Sequence, residues 1–133
     1  MAGSEQEKLF NTIISEISEQ FQPLMDRSPF GVYFFLDETH KVCNLKFASM
    51  FGLTTREFAE IPMFLPVFVA EKDISTFAHH YQHNILVLAH PVNFRFTARR
   101  KDGSTFEAET DMIPLCWRGY PVAYHFVHEV KGM

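Results

Sequence analysis

Two runs alternating apolar with polar residues flank the stretch Arg99-Arg100-Lys101-Asp102-Gly103-Ser104: Val92, Phe94, Phe96 and Ala98 before it, Phe106, Ala108, Thr110 and Met112 after it. Strict alternation predicts two half-buried strands, and Asp-Gly supplies a turn whose glycine accepts positive φ without a Cβ clash. Opposed residues share a face, so an odd loop centred on Gly103 sets Phe96 against Thr110 and Phe94 against Met112. The other face then opposes Arg99 to Glu107 and Arg95 to Asp111. A loop of three or five residues with a bulge satisfies this pattern. An even loop would face Phe96 with Glu109 and waste it.

The period changes to that of a helix elsewhere. Over residues 4 to 22, Phe10, Ile14, Ile17, Phe21 and Leu24 recur at spacings of four and three, widened by Leu9 and Ile13, with Ser4 and Glu7 as a capping box. Gln22-Pro23 ends or kinks this helix. Gly31 to Asp37 and Lys41 to Phe47 read as a hairpin joined by Asp37-Glu38-Thr39-His40. Gly52 closes a helical turn, and Thr54 with Glu57 caps a short helix. Ile61 to Val69 holds Pro62 and Pro66 and reads as a broken apolar connector. From Asp73 to about Leu88, a helix puts Ile74, Phe77, Ala78, Tyr81, Ile85 and Leu88 on one face. A last strand, Pro121 to Val130, alternates Val122, Tyr124 and Phe126 against Ala123, His125 and Val127. The order is β-β, helices, β-β-β.

At 133 residues this is one core's worth of chain, and 47% hydrophobic content with 15 Phe is too apolar for disorder. A formal net charge of −4 offers no basic footprint for nucleic acid. No apolar run reaches the roughly 18 residues of a membrane span, and no secretory signal opens the chain. Cys43 and Cys116 form no CxxC pair, so a reduced, cytoplasmic protein is expected.

Three motifs, in order, resemble those of the PAS domain, a sensory and interaction module. Asn44 is followed eight residues on by Gly52. Thr54-Thr55-Arg56-Glu57-Phe58 stands where that family has a Ser/Thr-x-x-Glu-Leu helix start, and Arg-Arg-Lys-Asp-Gly-Ser where it has its hairpin turn. Lys46 replaces a frequent Ala, and Glu71-Lys72-Asp73 replaces Pro-Glu-Asp. The resemblance implies an α+β fold, a five-stranded antiparallel sheet in the order β-β-ααα-β-β-β, cupping short helices around a small apolar cavity. It divides the chain into an N-terminal amphipathic helix (1–27) and a sensory domain (28–131).

Candidate pocket residues are Phe34, Phe47, Phe51, Phe68, Phe77, Tyr81, Phe94, Phe96, Met112 and Tyr124, which suit plain core packing or a small apolar ligand. On the sheet's far side Ile113, Leu115 and Trp117 need a cover, and Phe10, Ile14, Ile17 and Phe21 provide one from this helix or from a second copy in a homodimer. No catalytic or metal set stands out. Glu107, Glu109 and Asp111 share an outward face, His79 and His83 lack further ligands, and Ser49 and Ser104 lack a base. Some members of the family bind haem through a long-helix His. Here His79, His83 and His90 point away from the core side and His80 lies on the flank. The Cys motifs of covalent flavin and of photoactive yellow proteins are absent, and non-covalent flavin stays open. The expected role is the sensory part of a two-component histidine kinase or regulator, with its output domain outside this chain. The alternatives are a haem or flavin sensor, or a small cone-fold enzyme of the ketosteroid-isomerase type.

Overall fold

The computed structural model describes residues 2–131. α1 (Ala2–Gln20) starts ahead of Ser4, whose side chain lies outside the described residues, and Glu7 lies 3.1 Å from His40 Nε2. The helix breaks at Phe21. α2 (Gln22–Arg27) restarts with Pro23 in its first turn, where the missing N–H costs no hydrogen bond. Then follow β1 (Gly31–Asp37), β2 (His40–Cys43), α3 (Leu45–Phe51), α4 (Thr55–Glu60), α5 (Leu65–Phe68) and α6 (Glu71–His80). A π turn (Tyr81–Ile85) leads to β3 (Val92–Arg99), β4 (Thr105–Trp117) and β5 (Tyr120–Glu129). The strands form one antiparallel sheet ordered β2-β1-β5-β4-β3. The expected α+β order of two strands, helices and three strands is therefore present, with the first pair laddered to the last three through β1 and β5.

The second strand is shorter than its apolar run. It ends at Cys43 because Asn44 caps α3: its side-chain oxygen accepts from Phe47 N at 2.9 Å and from Val32 N at 3.0 Å. Its amide donates to the carbonyls of Met25 and Phe30, both at 3.1 Å. One buried side chain thus joins α2, β1 and α3. β1 then runs so close to α3 that a Cβ on Gly31 would meet Phe47 Cα at 3.0 Å. The expected Thr54–Glu57 capping box is formed on α4.

The β3–β4 hairpin has a five-residue loop, and its faces are as the alternation predicts. Its register is two residues off the expected one: Phe96 opposes Ala108, Phe94 opposes Thr110 and Arg95 opposes Glu109. The loop turns about Asp102, whose carboxylate accepts from Ser104 N at 2.9 Å and so tightens the turn on its own side chain. The hairpin tip is also tied to α3. Arg100 stacks on Phe106 at 4.3 Å and donates to the Met50 carbonyl, while Lys101 N bonds the Phe51 carbonyl.

The long helix also departs from a plain α pattern. The π turn inserts a residue into its last turn, which shifts the phase of the apolar stripe. Leu88, expected inside, is exposed with φ +52°, and Asn84 is buried.

Two cores lie on opposite faces of the sheet. Inside, Tyr33, Phe47, Phe51, Phe58, Phe64, Phe68, Phe77 and Phe96 pack under α3–α6. Outside, α1 lays Ile13 and Ile17, both fully buried, on Val32, Phe34, Leu36 and Val122. Phe10, Ile14, Phe21, Leu115 and Trp117 complete this outer core, and Ile113 sits half-buried opposite Tyr124 on the same face. The residues expected to form an interface therefore meet one another within one chain. Glu16 on α1 fixes the dock by accepting from Trp117 Nε1 at 3.0 Å and from Arg118 at 2.7 and 2.6 Å. These donors hold its carboxyl near 2.

Replacing Asn44 with Ala leaves Val32 N, Phe47 N and two carbonyls without their partner. Chemical denaturation should show a loss of about 3 kcal/mol or more. A loss below about 1 kcal/mol would mean that water replaces the side chain at little cost.

Candidate functional site

The inner face of the sheet does not close completely against the helices. A cavity of about 270 Å³ remains between β1, β4 and β5 on one side and α5, α6 and the π turn on the other. β1 contributes Tyr33 and Phe35, the β1–β2 turn Glu38, and the connector Phe64 and Leu65. Phe77, Ala78, Tyr81 and Gln82 come from α6 and the π turn, Met112 from β4 and His125 from β5.

Phe77, Tyr81 and Met112 were expected at such a cavity, and they line it. Phe47, Phe51, Phe68 and Phe96 lie in the same inner core but away from the cavity wall, with Phe94 half-buried against Phe77 and His80. Phe34 and Tyr124 are a correction: both face outward, stacked on each other at 4.5 Å beneath α1. β1 is covered on both sides, so its run Val32-Tyr33-Phe34-Phe35-Leu36 carries no alternation to say which residues face inward. Tyr33 and His125 take the inward positions instead, cross-strand neighbours whose rings stack in parallel at 3.9 Å. The alternation of β5 already set His125 apart from Tyr124, but a polar ring reads as the solvent face.

Most polar groups around the cavity are satisfied. Tyr81 Oη donates to the Leu36 carbonyl at 3.2 Å, and burial pushes its phenol up to about 12. The Glu38 carboxylate accepts from Phe64 N at 2.9 Å and Leu65 N at 3.3 Å, which fastens the connector to the β1–β2 turn. Lys41, its side chain fully buried, donates to the carbonyls of Glu38 and Ile61, and burial lowers its ammonium pKa. Burial raises the Tyr33 phenol further, with the nearby Glu38 charge adding to it.

His125 is the exception. It is 2% exposed and neither ring nitrogen has a hydrogen-bond partner. Burial pushes its pKa down to about 3, outweighing the raising effect of the Tyr33 backbone, which approaches the ring without reaching hydrogen-bond geometry. The ring is neutral at physiological pH, with one bare nitrogen and one N–H.

Candidate chemistries elsewhere do not gather at this cavity. His79 and His83 pair at 4.4 Å on the exposed side of the helix, His90 is exposed, and His80 stacks on Phe94. Among the described residues no three His, Cys, Asp or Glu side chains group to hold a metal ion. Glu109 faces Arg95 and His128, each at 3.6 Å, and Asp111 accepts from Asn93 at 2.9 Å. These carboxylates sit on the outer face. No helix among the described residues is long and apolar enough to cross a membrane.

Solved structures resemble the whole of this arrangement. A PAS domain from a two-component sensor histidine kinase superposes with a TM-score of 0.65 at 19% identity, covering 87% of this chain and 99% of its own. The PAS domain of an HTR-like protein from Haloarcula marismortui gives 0.63 at 17% identity, over 96% and 99%. A PAS domain in complex with ethanol, from a LuxR-family transcriptional regulator of Burkholderia thailandensis, gives 0.64 at 12% identity, over 83% and 96%. No protein-family model matches the sequence, and no curated protein matches it either. The likeness is one of fold, and the fold is that of the PAS domain.

The buried imidazole makes a pH test. Its proton is bound in the unfolded chain below about pH 6.5 and refused by the folded one down to about 3. Stability is therefore complete above pH 6.5 and falls as pH drops through that window. Between pH 8 and 5, His125→Phe should spare the protein about 2 kcal/mol of this loss, read from denaturation midpoints against pH. Identical slopes in both proteins would mean that the folded state takes up the proton freely.

Proposed function

We propose that this PAS-fold chain is a sensory and protein-interaction domain. On this reading a small, mostly apolar molecule enters the cavity, and its presence is reported through the sheet to the N-terminal helix. One observation carries it: two aromatic stacks stand back to back on the same strand pair. Tyr33–His125 faces the cavity, and Phe34–Tyr124 faces α1. Phe21, at the break between α1 and α2, packs on Phe34 at 4.9 Å, Tyr124 at 5.9 Å and Trp117 at 6.0 Å. A guest that displaces the inner stack changes the twist of β1 and β5. The outer stack and the seat of Phe21 follow. The guest can shift the helix only by as much as its affinity differs between the two packings.

The ethanol complex of the similar Burkholderia domain supports a small guest in a site of this kind. The sensor-kinase origin of another neighbour supports a signalling context, with a two-component output domain as the receiver. A catalytic role finds less support, because the carboxylate at the cavity, Glu38, is committed to two backbone amides.

Trp117 is the sole tryptophan and sits against α1, so it reports the helix dock. Native mass spectrometry of gently purified protein should show the chain with a small molecule attached. Ala78→Phe, which fills the cavity from α6, should lose that mass, and release of the guest should move Trp117 emission. A bare mass with emission unmoved across a panel of small aromatic and aliphatic compounds overturns the reading.

A further inference from the structure

We infer that His125 is the recognition group for an uncharged small molecule carrying a hydroxyl, seated in the cavity beneath α6. This rests on the sensory reading above and names the class of its ligand. Buried side-chain polar atoms in proteins almost always find a partner, and an orphan calls for an explanation. His125 has two such atoms, and its ring forms part of the cavity wall. The parallel stack on Tyr33 fixes the plane in which those nitrogens can bond.

Size, charge and access each narrow the ligand. An apolar cavity of about 150 Å³ holds benzene, so about 270 Å³ admits a substituted single ring or a compact aliphatic of roughly ten heavy atoms. An anion would lie near the Glu38 carboxylate, and the buried Lys41 ammonium is already turned to two carbonyls. A pure hydrocarbon would leave both imidazole nitrogens unpaired. A neutral hydroxyl suits the site, since it donates to the bare nitrogen or accepts from the N–H. The nitrogens lie just beneath the wall rather than on open surface. Met112 is the cross-strand neighbour of His125 on that wall, and its unbranched thioether can swing aside to admit the hydroxyl.

The test compares 4-methylphenol with toluene, which differ by the one hydroxyl, by calorimetric titration of wild-type protein and of His125→Phe. Phenylalanine keeps the stack on Tyr33 and removes both nitrogens. Wild type should bind 4-methylphenol about five-fold more tightly than toluene. In His125→Phe the order should reverse by ten-fold or more, because the hydroxyl is then buried without a partner. If wild type binds neither compound, the cavity reading itself fails. If it binds both with the same ratio as His125→Phe, the cavity reading stands and the role of His125 is overturned. Should the variant not fold, the ring ¹⁵N resonances of His125 in wild type decide. They should move with 4-methylphenol and hold with toluene, and equal shifts with both would overturn the assignment.

Discussion

The four hydrogen bonds of Asn44 set the frame on which everything else is phased. By accepting from Val32 N and donating to the carbonyls of Met25 and Phe30, its side chain fixes where the chain leaves α2 and enters β1. Its own backbone N–H bonds the Val32 carbonyl, and its oxygen also starts α3. β1 cannot slip by one residue without breaking this set. A slip of one would exchange Tyr33 for Phe34 at the cavity and turn the inner and outer faces over. The close approach of Gly31 to Phe47 backs the same register sterically. A single buried amide thus decides which aromatic ring sees the cavity and which sees the helix.

From that phasing the two cores follow as consequences of covering one sheet on both sides. A sheet with one wet face shows its orientation in the sequence, and β3 and β4 do so. Their alternation placed Phe94, Phe96, Ala98, Phe106, Ala108 and Met112 inward, where they lie. It did not settle the pairing, because a shift of two residues keeps every face the same, and Asp102 rather than Gly103 became the centre of the turn. β1 has no wet face where α1 lies on it. Its unbroken apolar run is the signature of burial on both sides, and Phe34 was legible as buried but not as outward. The capping residues were the surest local signals. Thr54 with Glu57 was readable as a helix start, and Asn44 carried the same chemistry at the end of an apolar run that looked like more strand.

The π turn is the clearest case of tertiary structure overriding period. An unbroken helix would point Leu88 inward. The extra residue rotates the segment so that Tyr81 and Ile85 keep the inner side and Leu88 is exposed. Tyr81 is then able to reach the Leu36 carbonyl at the edge of the cavity, a bond between the last turn of the helix and β1 that no local pattern announces.

The same logic bears on His125. For packing alone, a phenylalanine there would stack on Tyr33 as well as the imidazole does and would leave no polar atom unpaired. It would also remove the pH-dependent cost of a base held neutral far below its ordinary pKa. The orphaned ring therefore has no structural reason to be polar. The inner wall is otherwise thorough in pairing its polar groups: Tyr81, Glu38 and Lys41 each find partners, including backbone carbonyls and amides that would otherwise be bare. Two other buried polar atoms, His80 Nδ1 and Thr110 Oγ1, also lack partners among the described residues, but neither residue lines the cavity, where the open imidazole of His125 is a local violation of the pairing its neighbours keep. Such violations in natural proteins concentrate where function is carried.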